Sequence, residues 1–226
     1  MDAAALAATI DHTALKPNLT TAAIAQLCEE AILYRFATVC VPPCYIRMAC
    51  GLLQNSGIGV ATVIGFPLGY NTSAAKVKET VDALDDGADE IDVVHNISFI
   101  KSEDYEDAVA EIREITQIVQ GRGKKVKVIL ETSYLDRDEI VRCCERYGAL
   151  GVDFVKTSTG FSNEGAVAET VALMRRSLPE GVQIKASGGI RTFKDAVSML
   201  EAGATRLGCS AGVFIINEAS DKTFEA

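Results

Sequence analysis

Residues 151–161, GVDFVKTSTGF, indicate a buried β-strand that ends in a polar turn. Val152, Phe154 and Val155 suit the interior of a sheet, whereas Lys156 is followed at once by three hydroxyl side chains and a glycine. Because lysine is almost never buried without a partner, two interpretations are open: a solvated strand end, or a site that uses the lysine. The remainder of the chain decides between them.

Short β-branched apolar runs of this kind alternate along the chain with longer segments of helical period. The predicted strands cover residues 9–13, 36–41, 59–66, 89–94, 125–131, 152–156, 182–187 and 205–209, and the first of these has the weakest pattern. Amphipathic helices are predicted between them, for example over 20–35 and 102–120, where apolar residues share one face. A capping residue precedes an acid by three positions at 136–139 and at 192–195, which predicts helix starts there.

The alternation of continuous apolar strands with helices is typical of a parallel sheet that is covered by helices. Eight such units in 226 residues average about 28 residues each, which favours a compact (β/α)8 TIM barrel. No linker-like stretch divides the chain, so one domain is expected over residues 1–226. A doubly wound open sheet is the alternative, but it would need a glycine-rich turn after the first strand, and residues 10–17 (IDHTALKP) contain no glycine.

The composition argues against several classes of function. The chain is 48% hydrophobic and carries a formal net charge of −9, which disfavours nucleic acid and anionic membranes as partners. The seven cysteines form no C-x-x-C pair, so reduced intracellular thiols are expected rather than a disulfide framework or a zinc ribbon. The N-terminus lacks the basic start of a signal peptide, and no apolar run approaches the ~20 residues of a membrane span, so a cytoplasmic protein is expected.

Three charged residues are predicted to point into the mouth of this barrel. The carboxyl ends of barrel strands form the site, and inward side chains alternate along each strand. Asp92 alternates with apolar Ile91 and Val93, and Lys185 is set apart from its apolar neighbours in the same way. Together with Lys156 they place two lysines and one aspartate in one mouth, which favours a functional site over a solvated strand end.

Two neighbouring lysines in such a site suit the chemistry of a neutral amine. A free lysine has a pKa near ~10.4, and a second ammonium ~6 Å away would lower that pKa by about two units. The neutral amine so produced attacks a carbonyl group to form a Schiff base, an electron sink that permits a neighbouring carbon–carbon bond to form or break. Asp92 is expected to move protons during these steps.

Glycine-rich turns after the last two strands suggest where an anionic group of a substrate binds. Residues 187–189 (SGG) and 208–212 (GCSAG) occupy the position at which TIM barrels commonly bind phosphate, through backbone N–H groups and a helix N-terminus. Tight turns that need positive φ angles are the alternative explanation for these glycines.

Eight motifs together resemble the deoxyribose-phosphate aldolase family of class I aldolases. They are DHTALKP (11–17), VCVPPCY (39–45), VIGFPLG (63–69), EIDVVHNI (90–97), KVILET (127–132), DFVKTSTGF (153–161), IKASGGIRT (184–192) and GATRLGCSAG (203–212). The motifs follow the family's order over almost the whole chain. The pair KTSTGF and KASGGIR is the most specific part of the resemblance.

The resemblance implies a (β/α)8 barrel that reversibly cleaves 2-deoxyribose 5-phosphate to acetaldehyde and glyceraldehyde 3-phosphate without metal or cofactor. It makes Lys156 the Schiff-base lysine, Lys185 the neighbour that lowers its pKa, and Asp92 the proton-relay acid. The phosphate-side positions that it implies are Gly160, Ser187, Gly188, Gly189, Gly208 and Ser210. The positions on or near the pocket wall are Asp11, Thr13, Cys40 and Lys127. Small phosphorylated sugar and aldehyde substrates and a homodimer or homotetramer are also implied.

The chain departs from the family's pattern at a few positions. These are Pro42 where Asn is common, His95 and Ser98 where an aliphatic residue and Gly are common, Ala211 where a second serine is common, and a tail without the terminal tyrosine. The tail, residues 217–226, is short, polar and charged, so it is expected to be mobile. Its aromatic residue, Phe224, has no hydroxyl with which to relay a proton.

Three alternative functions are open on the sequence. A metal-dependent aldolase would need a cluster of histidine ligands around an open zinc position, and His12 and His95 are the two histidines available. A phosphate-binding barrel isomerase or epimerase would use the same glycine-rich turns but leaves the two inward lysines unexplained. A catalytically silent relative is the third alternative, and the presence of Lys156, Lys185 and Asp92 argues against it.

Overall fold

A closed barrel of parallel strands forms the centre of the protein in the computed structural model, which describes residues 2–223. In chain order the strands are β1 (Ile10–Thr13), β2 (Thr38–Val41), β3 (Gly59–Ile64), β4 (Glu90–Val94), β5 (Lys125–Ile129), β6 (Phe154–Lys156), β7 (Gln183–Ser187) and β8 (Arg206–Cys209). Each strand pairs with the next, and β8 returns to β1, where Gly208 lies opposite Asp11. Every predicted strand is present, so the (β/α)8 TIM barrel is confirmed and the open doubly wound sheet is wrong.

Helices surround the barrel and connect its strands. They are α1 (Ala3–Ala7), α2 (Thr21–Tyr34), α3 (Ile46–Leu52), α4 (Ser73–Asp85), α5 (Ile97–Lys101), α6 (Tyr105–Gly121), α7 (Arg137–Ala149), α8 (Ala168–Ser177), α9 (Phe193–Glu201) and α10 (Gly212–Thr223). Short 3-10 turns at Pro43–Tyr45 and Thr132–Tyr134 complete two of the connections. The helices predicted over 20–35 and 102–120 correspond to α2 and α6.

Capping boxes begin two of the helices, as the sequence predicts. At the start of α7 the Asp136 side chain accepts the N–H of Glu139, and the Glu139 side chain accepts the N–H of Asp136. Thr192 and Asp195 form the same reciprocal pair at the start of α9. An N-cap side chain of this kind contributes about 1 kcal/mol to helix stability, because it satisfies a backbone donor that the helix leaves open.

The C-terminal segment is more regular than the sequence predicts. Helix α10 continues through Thr223, so most of the tail that was expected to be mobile is helical. The buried Ile215, Ile216 and Ala219 anchor this helix to the apolar core. Phe224, the residue of the tail prediction, lies outside the described residues.

The main apolar core lies between the barrel and the surrounding helices. Ile91 on β4, Val155 on β6 and Ile184 on β7 are fully buried members of this core. Because side chains alternate along a strand, the neighbours of these residues point into the barrel. Those neighbours include Asp92, Lys156 and Lys185. The inner face of these strands is therefore charged, whereas their outer face is apolar.

Candidate active site

Strand register brings the charged residues of the barrel interior together. Asp92 on β4 lies opposite Lys127 on β5, and Lys156 on β6 lies opposite Lys185 on β7. Lys185 in turn lies opposite Arg206 on β8. Since neighbouring parallel strands hold opposite residues on the same face, all of these side chains point into the barrel.

Asp92 is the hub of this cluster. Its Oδ2 accepts hydrogen bonds from Lys156 Nζ at 2.9 Å and from Lys185 Nζ at 2.7 Å, and its Oδ1 accepts one from Lys127 Nζ at 2.6 Å. All four side chains are buried. The structure therefore places the three predicted catalytic residues in direct contact and adds Lys127 as a third cation on the same carboxylate.

A second tier of charged residues supports the hub. Asp11 forms an ion pair with Lys185, whose Nζ lies 2.5 Å from Oδ2, and its Oδ1 accepts from Arg206 Nη1 at 2.6 Å. Glu90 accepts from Lys127 Nζ at 2.6 Å and from Arg206 Nη1 at 3.2 Å. Asp11 and Lys127 were predicted near the pocket wall, and they lie fully buried beneath it. Glu90 and Arg206 were not predicted, although each occupies an inward position two residues from a predicted site residue.

The buried or largely buried charges of the cluster include one more positive than negative group, and the half-exposed Lys125 adds an outer contact to Glu90 at 3.8 Å. The cluster's cations are Lys127, Lys156, Lys185 and Arg206, and its carboxylates are Asp11, Glu90 and Asp92. Lys127, Lys185 and Arg206 each contact at least two of these carboxylates, whereas Lys156 contacts Asp92 alone. If Lys156 is neutral, the charges balance. The geometry thus singles out Lys156 as the group that releases a proton at least cost.

The pKa directions agree with this count. Burial, together with the nearby Lys185 ammonium, lowers the pKa of Lys156 although Asp92 opposes the shift. Burial also disfavours the charged forms of Lys127 and Lys185, but the surrounding carboxylates outweigh it and raise the pKa of both. The three ammonium groups hold the pKa of Asp92 well below its usual range despite burial. In the resting site Asp92 is therefore ionised.

The main cause of the lowered Lys156 pKa is not the one that the sequence led us to expect. The expectation attributed the shift mainly to the second ammonium of Lys185. In the structure burial is the larger cause, and much of the Lys185 charge is offset by Asp11 and Asp92. Desolvation acts on any charged group in the barrel interior, so it does not depend on one neighbour.

A cavity of about 540 Å³ opens above Lys156. The residues that line it include every predicted phosphate-side position, Gly160, Ser187, Gly188, Gly189, Gly208 and Ser210, and the predicted wall residue Thr13. Lys16 and Arg191 add positive charge to the lining. The cavity is therefore large enough for a small phosphorylated sugar, with Lys156 in its wall and the glycine-rich turns beside it.

Two of the predicted phosphate-side residues also support the lysines. A Cβ atom on Gly208 would lie 2.8 Å from Lys185 Cε, so glycine at this position makes room for the lysine side chain. The Ser187 hydroxyl donates to the Ser158 carbonyl oxygen at 2.5 Å, and the Ser187 N–H donates to Thr157 Oγ1. These bonds tie the loop after β7 to the loop after β6.

The side of the barrel mouth formed by β2 and β3 is apolar. Cys40 on β2 is fully buried against Ala61 and Val63 on β3, and the partly buried Leu15 and Phe66 pack on this group. Burial raises the pKa of the Cys40 thiol. Cys40 therefore contributes a small apolar surface beside the lysines.

The remaining polar residues singled out in the sequence have structural partners. His12 Nε2 lies 2.7 Å from Glu30 Oε2, and His95 lies 3.0 Å from the Tyr147 hydroxyl and 2.8 Å from the Leu130 carbonyl oxygen. Over residues 2–223, no group of three or more side chains has the arrangement of a metal site. Pro42 precedes the 3-10 turn after β2, and Ala211 precedes α10. Across the same residues, no helix has the length and apolar character of a membrane span.

Comparison with known proteins places the chain among aldolases. A family model described as DeoC/LacD family aldolase matches residues 5–217. A deoxyribose-phosphate aldolase from Thermoanaerobacter sp. (strain X514) is 51% identical over 214 residues, which cover 94% of this chain and 96% of the relative. The deoxyribose-phosphate aldolase of Bacillus subtilis (strain 168) is 49% identical and covers 93% of this chain and 94% of its own length.

A solved structure agrees with this family match. The deoxyribose phosphate aldolase from Aeropyrum pernix, described as a unique tetrameric structure, superimposes with a TM-score of 0.90 and is 34% identical. The superposition covers 99% of this chain and 93% of that chain.

Proposed function

The chain belongs to the DeoC/LacD family of aldolases, and we propose that it reversibly cleaves 2-deoxy-D-ribose 5-phosphate to acetaldehyde and D-glyceraldehyde 3-phosphate. The covalent step is assigned to Lys156. One observation carries this assignment: Lys156 lies in the wall of the cavity, and it is the cation of a positively charged buried cluster that has a single carboxylate partner. The names of the relatives at about 50% identity support the substrate.

The reaction begins with the neutral amine of Lys156. Its nitrogen lone pair attacks C1 of the open-chain sugar, and the carbonyl oxygen takes up a proton to give a carbinolamine. Loss of water then leaves an iminium ion between Nζ and C1. The Asp92 carboxylate, 2.9 Å from Nζ, is placed to accept the proton that the nitrogen loses and to return it to the departing hydroxyl through water.

Cleavage uses the iminium as an electron sink. The C3 hydroxyl passes its proton to water, the O–H electrons form the C3 carbonyl, and the C2–C3 bond breaks with its electron pair moving into the iminium; water returns a proton to C2 in the later step. Glyceraldehyde 3-phosphate leaves, and an enamine of two carbons stays on Lys156. Protonation of the enamine at C2 and addition of water release acetaldehyde and restore the amine. The reaction involves no net oxidation or reduction, so it needs no oxidant or reductant.

Lys185 and Asp92 have different tasks in this scheme. Lys185 stays an ammonium because two carboxylates raise its pKa, so it favours the neutral form of Lys156 and can donate a proton to oxygen atoms that become negative. Asp92 is ionised in the resting site and carries a proton only in transit, so its negative charge favours the cationic intermediates that form beside it. The pair therefore supplies both signs of charge around one reacting carbon.

The glycine-rich turns are proposed to bind the 5-phosphate. Ser210, at the start of the loop before α10, is exposed and lines the cavity, as do Gly189 and Arg191. Ser210→Asp should repel the phosphorylated substrate and lower its kcat/KM at least tenfold, while cleavage of unphosphorylated 2-deoxyribose changes much less. Equal losses for both substrates would show that this turn acts only on the fold.

Assembly as a homodimer or homotetramer in the cytoplasm is part of the proposal. The described tetramer of the Aeropyrum pernix relative supports an oligomer. The net charge of −9 supports small-molecule substrates rather than nucleic acid as partners. Light scattering after size-exclusion chromatography measures the mass of the particle directly, and a monomer at micromolar concentration would contradict this part.

Borohydride trapping tests the covalent step. Incubation with acetaldehyde and sodium borohydride should convert the imine into an ethyl group on Lys156, which peptide mass mapping detects. Buried Lys127 and Lys185 serve as internal controls and should remain unmodified, because their amines are held as ammonium ions. Trapping in the presence of a chelator should be unchanged. Modification at Lys185 in place of Lys156 would reverse the two assignments.

A further inference from the structure

We propose that Glu131 is a positioning residue that fixes the turn formed by residues 157–162 against the substrate cavity. This inference deepens the proposed function and rests on it. Glu131 lies two residues after the end of β5 and is buried, with 2% of its surface exposed. It lies outside the charged cluster around Asp92, and neither the catalytic scheme nor the phosphate site uses it.

The Glu131 carboxylate is engaged entirely by the neighbouring turn. Oε2 accepts the Thr159 N–H at 3.1 Å and the Thr159 hydroxyl, and the Ser162 hydroxyl is shared between Oε1 at 3.0 Å and the Glu164 carbonyl oxygen at 2.9 Å. A buried carboxylate is costly unless it is hydrogen-bonded, and bonds to an ionised acceptor are stronger than neutral ones. The three bonds therefore hold the turn more firmly than neutral contacts would.

The backbone at Glu131 is arranged for this contact. Its φ of 52° and ψ of 65° place it in the left-handed region, which is uncommon for a residue other than glycine. The Leu130 N–H donates to the Lys156 carbonyl oxygen at 2.9 Å and the Thr132 N–H donates to the Thr157 carbonyl oxygen at 3.0 Å, so the main chain on both sides of Glu131 is tied to residues 156–157, where the turn begins. Unusual backbone conformations of this kind cluster at functional sites.

The turn that Glu131 holds forms one wall of the cavity. It begins directly after Lys156, and Thr159, Gly160 and Phe161 line the cavity. The Thr159 hydroxyl donates to Glu131, while its oxygen accepts the Phe161 N–H at 3.0 Å. Both the side chain and the main chain of the wall are thus fixed from behind, without Glu131 itself lining the cavity.

The experiment separates positioning from catalysis and from folding. Glu131→Ala removes the three bonds, whereas Glu131→Gln keeps an oxygen acceptor for Thr159 and an amide group next to Ser162. Both variants impose the same demand on the left-handed backbone, so they differ only in side chain. Glu79→Ala is the matched control. The Glu79 carboxylate also accepts a backbone N–H, that of Gly65 after β3, at 2.8 Å, but neither Glu79 nor Gly65 lines the cavity.

Three readouts are compared: kcat/KM for cleavage of 2-deoxyribose 5-phosphate, the rate of borohydride trapping with acetaldehyde, and the melting temperature. Glu131→Ala should lower kcat/KM about 10²-fold, the scale that misplacement of a positioning group costs. Trapping should change less than about threefold, since Lys156 belongs to β6 and keeps its partner. Glu131→Gln should recover most of the lost kcat/KM, and Glu79→Ala should lower only the melting temperature.

A milder variant keeps the inference testable if Glu131→Ala does not fold. Ser162→Ala removes the one bond to Oε1 and should lower kcat/KM about fivefold, the scale of one hydrogen bond. Equal loss of cleavage in Glu131→Gln and Glu131→Ala would overturn the inference, because the oxygen acceptor that Gln keeps for Thr159 would then have no effect on the turn. Parallel loss of trapping in Glu131→Ala would also overturn it. Absence of trapping in the unaltered enzyme would instead contradict the proposed function, and the inference would fall with it.

Discussion

Lys156 and Lys76 are both lysines with almost no exposed surface, but they occupy different regions of the molecule. Lys156 lies inside the barrel, 2.9 Å from Asp92. Lys76 lies on α4, outside the barrel, and donates to Glu111 on α6 at 2.7 Å and to the Val94 carbonyl oxygen at 2.9 Å. Burial is the largest cause of a lowered pKa at both lysines. Burial and a lowered pKa therefore do not distinguish an active-site lysine from a structural one.

Two other features distinguish the two regions. Lys76 and Glu111 form a pair in which one charge meets one charge, whereas the Asp92 cluster holds four cations and three carboxylates. Lys156 lines a cavity, whereas the Lys76 side chain packs so closely on Gly65 that a Cβ there would lie 2.8 Å from Lys76 Cε. We therefore attribute the proposed reactivity of Lys156 to surplus positive charge and access to a cavity.

The largest effect is expected from removing Lys156, and replacement of Lys76 with its partner is the matched comparison. Lys156→Ala should abolish detectable cleavage and trapping, because the nucleophile is lost. In the outer region, the double variant Lys76→Met with Glu111→Leu replaces the buried pair by apolar side chains, which is often neutral or stabilising by about 1–4 kcal/mol. That variant should keep kcat/KM within about threefold of the unaltered enzyme, measured by a coupled assay of glyceraldehyde 3-phosphate.

Two results would contradict this contrast between Lys156 and Lys76. Residual trapping in Lys156→Ala at another lysine would move the nucleophile elsewhere. A large loss of cleavage in the outer double variant, with an unchanged melting temperature, would mean that the Lys76 region takes part in catalysis.

The sequence predicts the barrel and the three central residues for a simple reason. Strand periodicity and the alternation of side chains are local properties, and they already place Asp92, Lys156 and Lys185 at inward positions. The partners of these residues depend on contacts across the barrel. Asp11 on β1 meets Lys185 on β7, and no local pattern specifies that contact. For the same reason the sequence could not weigh burial against the charge of Lys185.

Other features differ in how much local signal they carry. Glu131 stands at the end of a predicted strand, where an acidic residue is ordinary, and its left-handed backbone becomes visible only in the structure. Arg206 and Glu90 could have been found from their inward positions, two residues from Gly208 and Asp92. The buried pair of Lys76 and Glu111 joins two helices that are distant in sequence, so periodicity alone predicts only that each lies on a helix.

The second largest effect is expected from Asp92→Asn. The variant keeps the size of the side chain but removes the proton acceptor, so kcat should fall about 10²–10⁴-fold. Asp92 also opposes the lowering of the Lys156 pKa, so its loss should lower that pKa further. The acid limb of the pH profile of kcat/KM should therefore move to lower pH. Near-normal turnover, or an acid limb at higher pH, would contradict the role of Asp92.

Lys185→Met should shift the same limb in the opposite direction. Loss of the neighbouring ammonium raises the pKa of Lys156, so less neutral amine is present at pH 7. Cleavage at pH 7 should fall about tenfold or more and recover in part as the pH rises toward ~10.4, the ordinary lysine pKa. Lys185→Arg is the matched control, because it keeps the positive charge and should leave the limb in place. A uniform loss at every pH would show that Lys185 acts by proton donation rather than through the Lys156 pKa.

The smallest effect on activity is expected from replacing His95, which like Lys76 belongs to the region outside the barrel interior. Its Nε2–H donates to the Leu130 carbonyl oxygen, and Nδ1 accepts from the Tyr147 hydroxyl, so the neutral imidazole has both of its bonds. Burial, and to a lesser degree Lys76, lowers the His95 pKa from 6.5 to about 3. The folded protein therefore binds fewer protons at this position than the unfolded chain between these two pKa values. The stabilisation is present in full above pH 6.5 and is lost as the pH falls toward 3.

His95→Gln should remove this contribution while its amide group keeps one hydrogen bond. The free energy of unfolding, measured with urea at pH 4 to 6.5, should fall less steeply with acid in the variant, by up to about 1.4 kcal/mol per pH unit. Other titrating groups, such as His12, are common to both proteins and cancel in the difference. At pH 7 kcat/KM should stay within about threefold. An unchanged slope would mean that His95 is protonated in the folded state, and a tenfold loss of cleavage would connect the outer region with the chemistry at Lys156.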